Sequence, residues 1–446
     1  MNKLNKIFLS LLVTLSLSKG AAIAQEQNNF SLQQCVDYAL SHQSSYLNAQ
    51  IDEDIARKKV QELLGAGLPQ LNGSGSLNDY IAIPTSLIPG EFFGAPAGTY
   101  IPVKFGTQYN ASGGFDASQL IFDGKYFVGV QASKALQELT QKMTNRTKIE
   151  TISTVTKAYY TALIANKRME LLNTNVDRIA KLASDTKTLY DNGFVEKLDL
   201  DKVNVALSNL KTEQEKVSKL VDLSSYLLKY QMGMDVNAKL TLTDKLEDQN
   251  FESVLSGSFN PQDRVEMQML NSQKTLYTLQ GKSYKVGYIP SLVAFGSYSW
   301  SAQRTEFNFL DGNQKWYPVG IIGLKLSVPI FDGLQKARYI QESNLNLQKN
   351  ANDILNLTNG LNLQYLNAKT QLQNATQTVQ SQKDNMDLAE SVYNATKKKY
   401  EEGVGSNLEL TTAQSALKEA ETNYLNALYD ALIAKTDYLV ATGQLK

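Results

Sequence analysis

Proline breaks the interior of a helix, because it removes a hydrogen bond and clashes with the preceding turn. The stretches without proline therefore constrain this chain most. Of its nine prolines, Pro69, Pro84, Pro89, Pro96 and Pro102 form one cluster, Pro290, Pro318 and Pro329 a second, and Pro261 stands alone. None occurs from Val103 to Asn260 or after Pro329. Both empty tracts are rich in Ala, Leu, Lys, Gln and Glu, which lose little freedom in a helix. They can hold helices far longer than those of an ordinary globular domain.

The two tracts are copies of each other. Ile121-Phe122-Asp123-Gly124 returns as Ile330-Phe331-Asp332-Gly333. Tyr190-Asp191-Asn192-Gly193 with Leu198-Asp199-Leu200 returns as Tyr400-Glu401-Glu402-Gly403 with Leu408-Glu409-Leu410. Beyond these landmarks, Leu200, Val203, Leu207, Leu210, Gln214, Val217 and Val221 alternate steps of three and four residues. Leu410, Ala413, Leu417, Ala420, Tyr424, Ala427 and Ala431 do the same. Sustained 3-4 seams imply coiled-coil-like packing between neighbouring helices, and matching landmarks imply an internal duplication. Asp123 and Asp332 are expected to cap the long helices. Gly193 and Gly403 are expected to end them in a left-handed turn. A helix from Asp123 to Tyr190 would run roughly 100 Å at about 1.5 Å per residue. The tracts 30–66 with 198–231, and 262–287 with 408–442, are expected to be shorter helices stacked alongside.

Four segments between the helices alternate with period two. Leu71, Gly73, Gly75 and Leu77 alternate with Asn72, Ser74, Ser76 and Asn78; Tyr109 to Ser118 repeats the pattern. In the second repeat the segments are 291–301, with Tyr298 and Trp300 on one parity, and 322–328. Short segments with one apolar and one polar face are the mark of membrane-barrel strands, although a half-exposed sheet has the same period. Four strands leave two unpaired edges, which hydrocarbon does not tolerate, and a barrel takes at least about eight strands. Two or more copies would have to share one wall.

Residues 1–24 read as a secretory leader: Lys3 and Lys6, an apolar run from Ile7 to Leu17, and Ala22-Ile23-Ala24 before Gln25. Three of the 44 basic residues lie in that leader, which leaves the rest slightly acidic and without a polybasic face for nucleic acid. No later stretch is long and apolar enough for a membrane helix. One His (His42) and one Cys (Cys35) leave little for metal clusters or Cys–His nucleophiles, and no phosphate loop or Ser-His-Asp set is apparent. No enzymatic activity, cofactor or metal is expected. Cys35 reads as a small buried residue, and His42 as a helix-surface one.

The arrangement resembles the outer-membrane efflux protein family typified by TolC. Ser31-Leu32-Gln33-Gln34 with Ala39-Leu40, Leu68-Pro69 and Ile289-Pro290 ahead of the strands, the two Phe-Asp-Gly exits, the paired Tyr-x-x-Gly turns, and Leu408-Glu409-Leu410-Thr411-Thr412-Ala413-Gln414 carry the likeness. It implies a mainly α fold with a small β part: a long helical barrel plus four membrane strands per protomer, completed in a homotrimer as a 12-stranded barrel. The repeats would be 25–232 and 264–446, with 233–263 an equatorial segment between them. The implied role is a channel from an inner-membrane transporter and periplasmic adaptor across periplasm and outer membrane, in efflux or type I secretion. Tyr190 and Gly193, with Tyr400 and Gly403, would shape turns that the adaptor grips. Asp199 and Glu409 fall where the family places gate carboxylates, and Tyr400 would reach across to Asp199 to hold the mouth shut. Helix N-terminal acids that favour the dipole would look the same. Trp300 would anchor at the lipid interface. The rival is a non-conducting coiled-coil surface protein or adhesin, against which the duplicated strand-and-hairpin order argues.

Overall fold

The computed structural model describes residues 29–246, 251, 254 and 259–445. The expected leader at 1–24 and parts of 233–263 lie outside these. The chain divides into two compact units, each drawn from both repeats. One comprises Met1–Gln50, Thr144–Val265 and Leu357–Lys446, the other Ile51–Met143 and Glu266–Asn356.

Among the described residues there are seven α-helices: α1 (Leu32–His42), α2 (Ser44–Gly65), α3 (Gly124–Asp191), α4 (Lys197–Met232), α5 (Val265–Val286), α6 (Gln335–Glu401) and α7 (Asn407–Thr442). The long helices α3 and α6 run 68 and 67 residues, as the proline-free tracts allow. The tract expected as one helix over 30–66 is two. Gln43 takes an extended ψ of 118° and separates α1 from α2. α1 starts at a capping box, in which Ser31 Oγ accepts from Gln34 N–H and Gln34 Oε1 accepts from Ser31 N–H.

In the first unit part of each expected seam is buried and the rest of it half-buried. Val203, Leu210 and Val217 of α4 recur at every seventh residue, and Leu410, Ala413 and Leu417 of α7 follow the 3-4 steps. Nearer the chain ends, Cys35, Val155, Tyr159, Leu228, Leu432 and Tyr438 join a second cluster. There the strand β1 (Asn29–Phe30) pairs in parallel with β6 (Thr241–Leu242). Tyr159 donates its hydroxyl to the Phe30 carbonyl and accepts from Asp244 N–H, each at 3.4 Å. Asp244 Oδ2 in turn accepts from Leu32 N–H at 2.8 Å, which ties the start of α1 to the segment after β6.

The second unit carries a four-stranded antiparallel sheet in the order β2 (Gln70–Asp79), β5 (Tyr109–Phe122), β7 (Ser291–Arg304), β8 (Tyr317–Ser327). Its register aligns the apolar parities. Leu77 faces Ala111 and then Ala302; Gly73 faces Phe115, then Tyr298, then Gly320. Leu71, Phe115, Tyr298, Trp300, Ile322 and Leu324 thus share one face, and Asn72, Ser74, Asp116, Ser297 and Ser299 the other. The apolar face is uncovered, with Ile322 93% exposed. Among the described residues the outer edges of β2 and β8 have no partner strand, and the strands form no closed barrel. Pro318, which has no N–H to donate, sits on edge strand β8. The loop between β2 and β5 holds a further hairpin, β3 (Thr85–Pro89) with β4 (Tyr100–Lys104).

One expected cap is as drawn and the other differs. Asp123 Oδ1 accepts from Lys125 and Tyr126 N–H at 2.6 and 3.2 Å and starts α3. In the second repeat Gly333 and Leu334 both take positive φ, 66° and 67°, and helix α6 begins only at Gln335. Asp332 instead bonds Lys336, by its N–H at 3.2 Å and its Nζ at 2.9 Å. The Lys336 hydrogen bonds hold its carboxyl below the usual range.

Candidate functional site: the paired hairpin turns

Both long helices end in the same way. Gly193 (φ 80°) and Gly403 (φ 77°) supply the left-handed residue. Gly193 N–H donates to the Tyr190 carbonyl and Phe194 N–H to Leu189; Gly403 N–H donates to Tyr400 and Val404 N–H to Lys399. These are two Schellman motifs. Tyr190 and Tyr400 thus serve the turns through their backbones, one residue inside each helix end. Each turn leaves an apolar side chain at its tip, Phe194 and Val404, 77% and 76% exposed. The sequence reading missed these two, although the hydrophobic residue after a turn glycine signals them.

Asp199 and Glu409 occupy the same place, the first turn of α4 and of α7. Their partners differ. Glu409 closes a capping box on its own helix, accepting from Ser406 N–H at 3.5 Å while Ser406 Oγ accepts from Glu409 N–H at 3.2 Å. Asp199 pairs with Lys202 at 3.7 Å. Within one chain the bond expected between Tyr400 and Asp199 is not made. The Tyr400 hydroxyl is buried without a hydrogen-bond partner among the described residues. The two turns are joined instead by Asn407, whose Nδ2 donates to the Asp199 backbone carbonyl at 3.3 Å. A backbone acceptor depends on no particular side chain, so nothing in the residue pattern announced this tether.

Between the turns lies a cleft of about 890 Å³. Arg178, Lys181 and Lys397 line it with Asp185, Asp199 and Glu401, so its charges balance. Three of its side chains, Tyr400, Asn407 and Gln414, each hold a buried polar atom without a partner among the described residues. Buried polar groups are normally satisfied, so this end of the bundle is incompletely packed within one chain.

Next to the cleft sits a buried polar knot. Asn175 of α3, 2% exposed, donates to Glu421 Oε2 at 2.7 Å and accepts from Gln414 Nε2 at 2.5 Å. Arg178 approaches Asn175 Oδ1 at 3.3 Å and Glu421 at 3.5 Å, and lies over the Tyr393 ring of α6. Lys418 of α7 pairs with Glu213 of α4. Elsewhere, Trp300 stands on the uncovered face of the sheet against Tyr298, ring centroids 4.8 Å apart. His42 is exposed and stacks on Tyr38.

Duplicated helical hairpins joined to a sheet with one uncovered apolar face and two open edges define a class: channel-forming outer-membrane proteins built from several chains' strands. The profile of the Outer membrane efflux protein family matches residues 35–228 and 265–444. The chain belongs to that family, one of channel proteins of the outer membrane. No curated protein sequence matches it. Its fold is similar to that of CusC, known from structures of folding and transmembrane channel formation, with a TM-score of 0.72 at 14% identity over 92% of this chain and 91% of that one. The CmeC outer membrane channel of Campylobacter jejuni gives 0.71 at 16% identity over 92% and 85%. The open-state MtrE outer membrane channel of Neisseria gonorrhoeae gives 0.70 at 16% over 92% and 88%. At these identities the likeness establishes the fold.

Proposed function

We propose that the chain is one subunit of a homotrimeric channel that conducts substrates from an inner-membrane transporter, by way of a periplasmic adaptor, across periplasm and outer membrane. The observation that carries this reading is the sheet. Its apolar face is bare, which suits lipid, and its edges lack partners, which lipid forbids. Because the strand number is even, β8 of one copy meets β2 of the next antiparallel, and the ring closes without a change of pattern. Three copies give the 12 strands that the family resemblance implies. Further support comes from apolar side chains exposed on helix faces, which no described element covers, among them Leu223, Leu227 and Tyr230 of α4 and Leu363 and Leu366 of α6.

In this reading the turns at Tyr190–Gly193 and Tyr400–Gly403, with Phe194 and Val404 at their tips, are what the adaptor grips. Asp199 and Glu409 supply six carboxylates near the trimer axis, enough like charge to attract cations. Trp300 anchors the sheet at the lipid interface. The test is planar-bilayer recording on the purified protein together with its mass in detergent. Ion-conducting trimers are expected; a folded monomer, or a trimer without conductance as an adhesin would give, sinks the proposal.

A further inference from the structure

Within the first unit the two repeats meet where α7 lies antiparallel along α3. Lys157 pairs with Asp437 at 2.5 Å, the hydroxyls of Thr161 and Tyr429 meet at 3.4 Å, Arg168 donates to Asn426 at 2.7 Å, and Asn175 bonds Glu421. Thr156 and Tyr160 of α3 and Thr436 of α7 are buried at this height.

The duplication makes α6 the counterpart of α3, and α4 the counterpart of α7. Carried forward or back by the spacing of Tyr190 from Tyr400, Thr156, Lys157 and Tyr160 become Leu366, Asn367 and Thr370, while Thr436 and Asp437 become Tyr226 and Leu227. Every one of these counterparts is exposed, so neither face is covered among the described residues. The two faces also match in character. Leu363 lies one turn from Asn367 on the same side of α6, with Leu366 between them, and Leu223 and Tyr230 flank Leu227 on α4. All five are exposed apolar side chains. They fall at the one height where the first contact is made by Lys157 and Asp437.

A second copy supplies the missing partner. We infer that α4 of a neighbouring copy sits on α6 as α7 sits on α3, with Leu223, Leu227 and Tyr230 latched against Leu363 and Leu366. The contact joins two different faces, so it repeats from copy to copy around a ring. Nearer the turns the character changes. Where the knot has Arg178 and Glu421, the counterparts are Leu388 and Lys211, and an ammonium in place of the carboxylate keeps its water. Asn385 thus stays solvated, and the copies are held at the apolar height. The inference rests on the trimer reading and adds to it which helix faces meet and in what register.

Thiol cross-linking of the full-length protein in its membrane tests it, with Cys35 buried and out of reach. Asn367→Cys together with Leu227→Cys, treated with a short bismaleimide, is expected to shift to the mass of two and three chains, with each single variant staying at one. Lys157→Cys with Asp437→Cys should link within one chain, detected as a joined peptide after digestion. Leu227→Cys with Leu388→Cys, displaced by roughly 30 Å at about 1.5 Å per residue, should not link. A separate panel sets Ser74→Cys on β2 against Val319→Cys, Ile321→Cys or Gly323→Cys on β8. If that panel links copies and the Asn367–Leu227 pair does not, or if Leu227 links to Leu388 instead, the latch is refuted and the ring stands. An Asn367–Leu227 link inside one chain, or dimers from either single variant, also refutes it. If neither the panel nor the pair links copies, the ring fails and the latch with it.

Discussion

Removing the amide at Asn175 should release α7 from α3. The side chain donates to a carboxylate and accepts from Gln414 and Arg178 inside the bundle. A hydrogen bond to a charged group is worth roughly 1.5–3 kcal/mol and a neutral one about 1 kcal/mol. Asn175→Ala therefore loses about 3–5 kcal/mol, the range found when one partner leaves a buried ionic cluster. Glu421 keeps only Arg178, at 3.5 Å. At about 1.4 kcal/mol per tenfold, amide exchange around residues 172–182 and 410–424 should speed up by about a hundredfold or more. Hydrogen exchange with mass detection on the assembled protein reads this directly. Asn385 is the equivalent residue of the second repeat and is exposed; Asn385→Ala should change exchange by no more than about twofold, as surface substitutions do. Replacing the whole knot by apolar residues of similar size should restore protection, because buried ionic clusters are often no more stable than apolar packing. Equal, small effects of Asn175→Ala and Asn385→Ala would refute the reasoning.

Burial, with a smaller contribution from Asp244, pushes the Cys35 thiol up to about 12. Its proton is thus favoured in the folded state, and the stability this gives is complete below the unfolded thiol's range near 8.5 and is lost as pH rises toward 12. Maleimide or disulfide reagents at pH 8 should label Cys35 only after denaturation, and fast labelling of the native protein would show the thiol is not buried. Gly403→Ala places a side chain at φ 77° with open space around it, so its effect is purely conformational, a loss of about 1 kcal/mol; Leu334→Gly, at φ 67°, should gain about as much. Opposite shifts in melting temperature are the check, and shifts of one sign would contradict the backbone argument. Asp199→Ala with Glu409→Ala should reduce cation selectivity in planar bilayers; an unchanged reversal potential would remove these carboxylates from the gate.

Proline absence and duplicated landmarks made the helices legible, since both act locally: α3 and α6 end where Gly193 and Gly403 stand. Period-two alternation located all four sheet strands, and their register follows because any one-residue slip would mix the Leu71–Phe115–Tyr298 face with the serine face. The β3–β4 hairpin was not legible, because two five-residue runs containing Pro89 and Pro102 are too short and too proline-rich to read as strands. Neither Gly nor Pro marks the break at Gln43. The two Phe-Asp-Gly exits are identical for three residues and then diverge, with Lys125 continuing the helix where Leu334 turns left-handed.

The knot and the tether were hidden for a different reason. Asn175 and Glu421, like Asp199 and Asn407, lie in opposite halves of the chain, and no local pattern links them. The duplication itself explains why they matter. Two identical halves would specify helix register equally well in alternative pairings, and one buried polar site is enough to distinguish them. Carrying Asn175, Gln414 and Glu421 forward or back by one repeat gives Asn385, Asn204 and Lys211, a set with a cation where the knot has its carboxylate. The halves share their backbone plan but not this contact, so α7 has one favoured seat against α3. Any movement of the turns below must then pivot at Asn175 or break it.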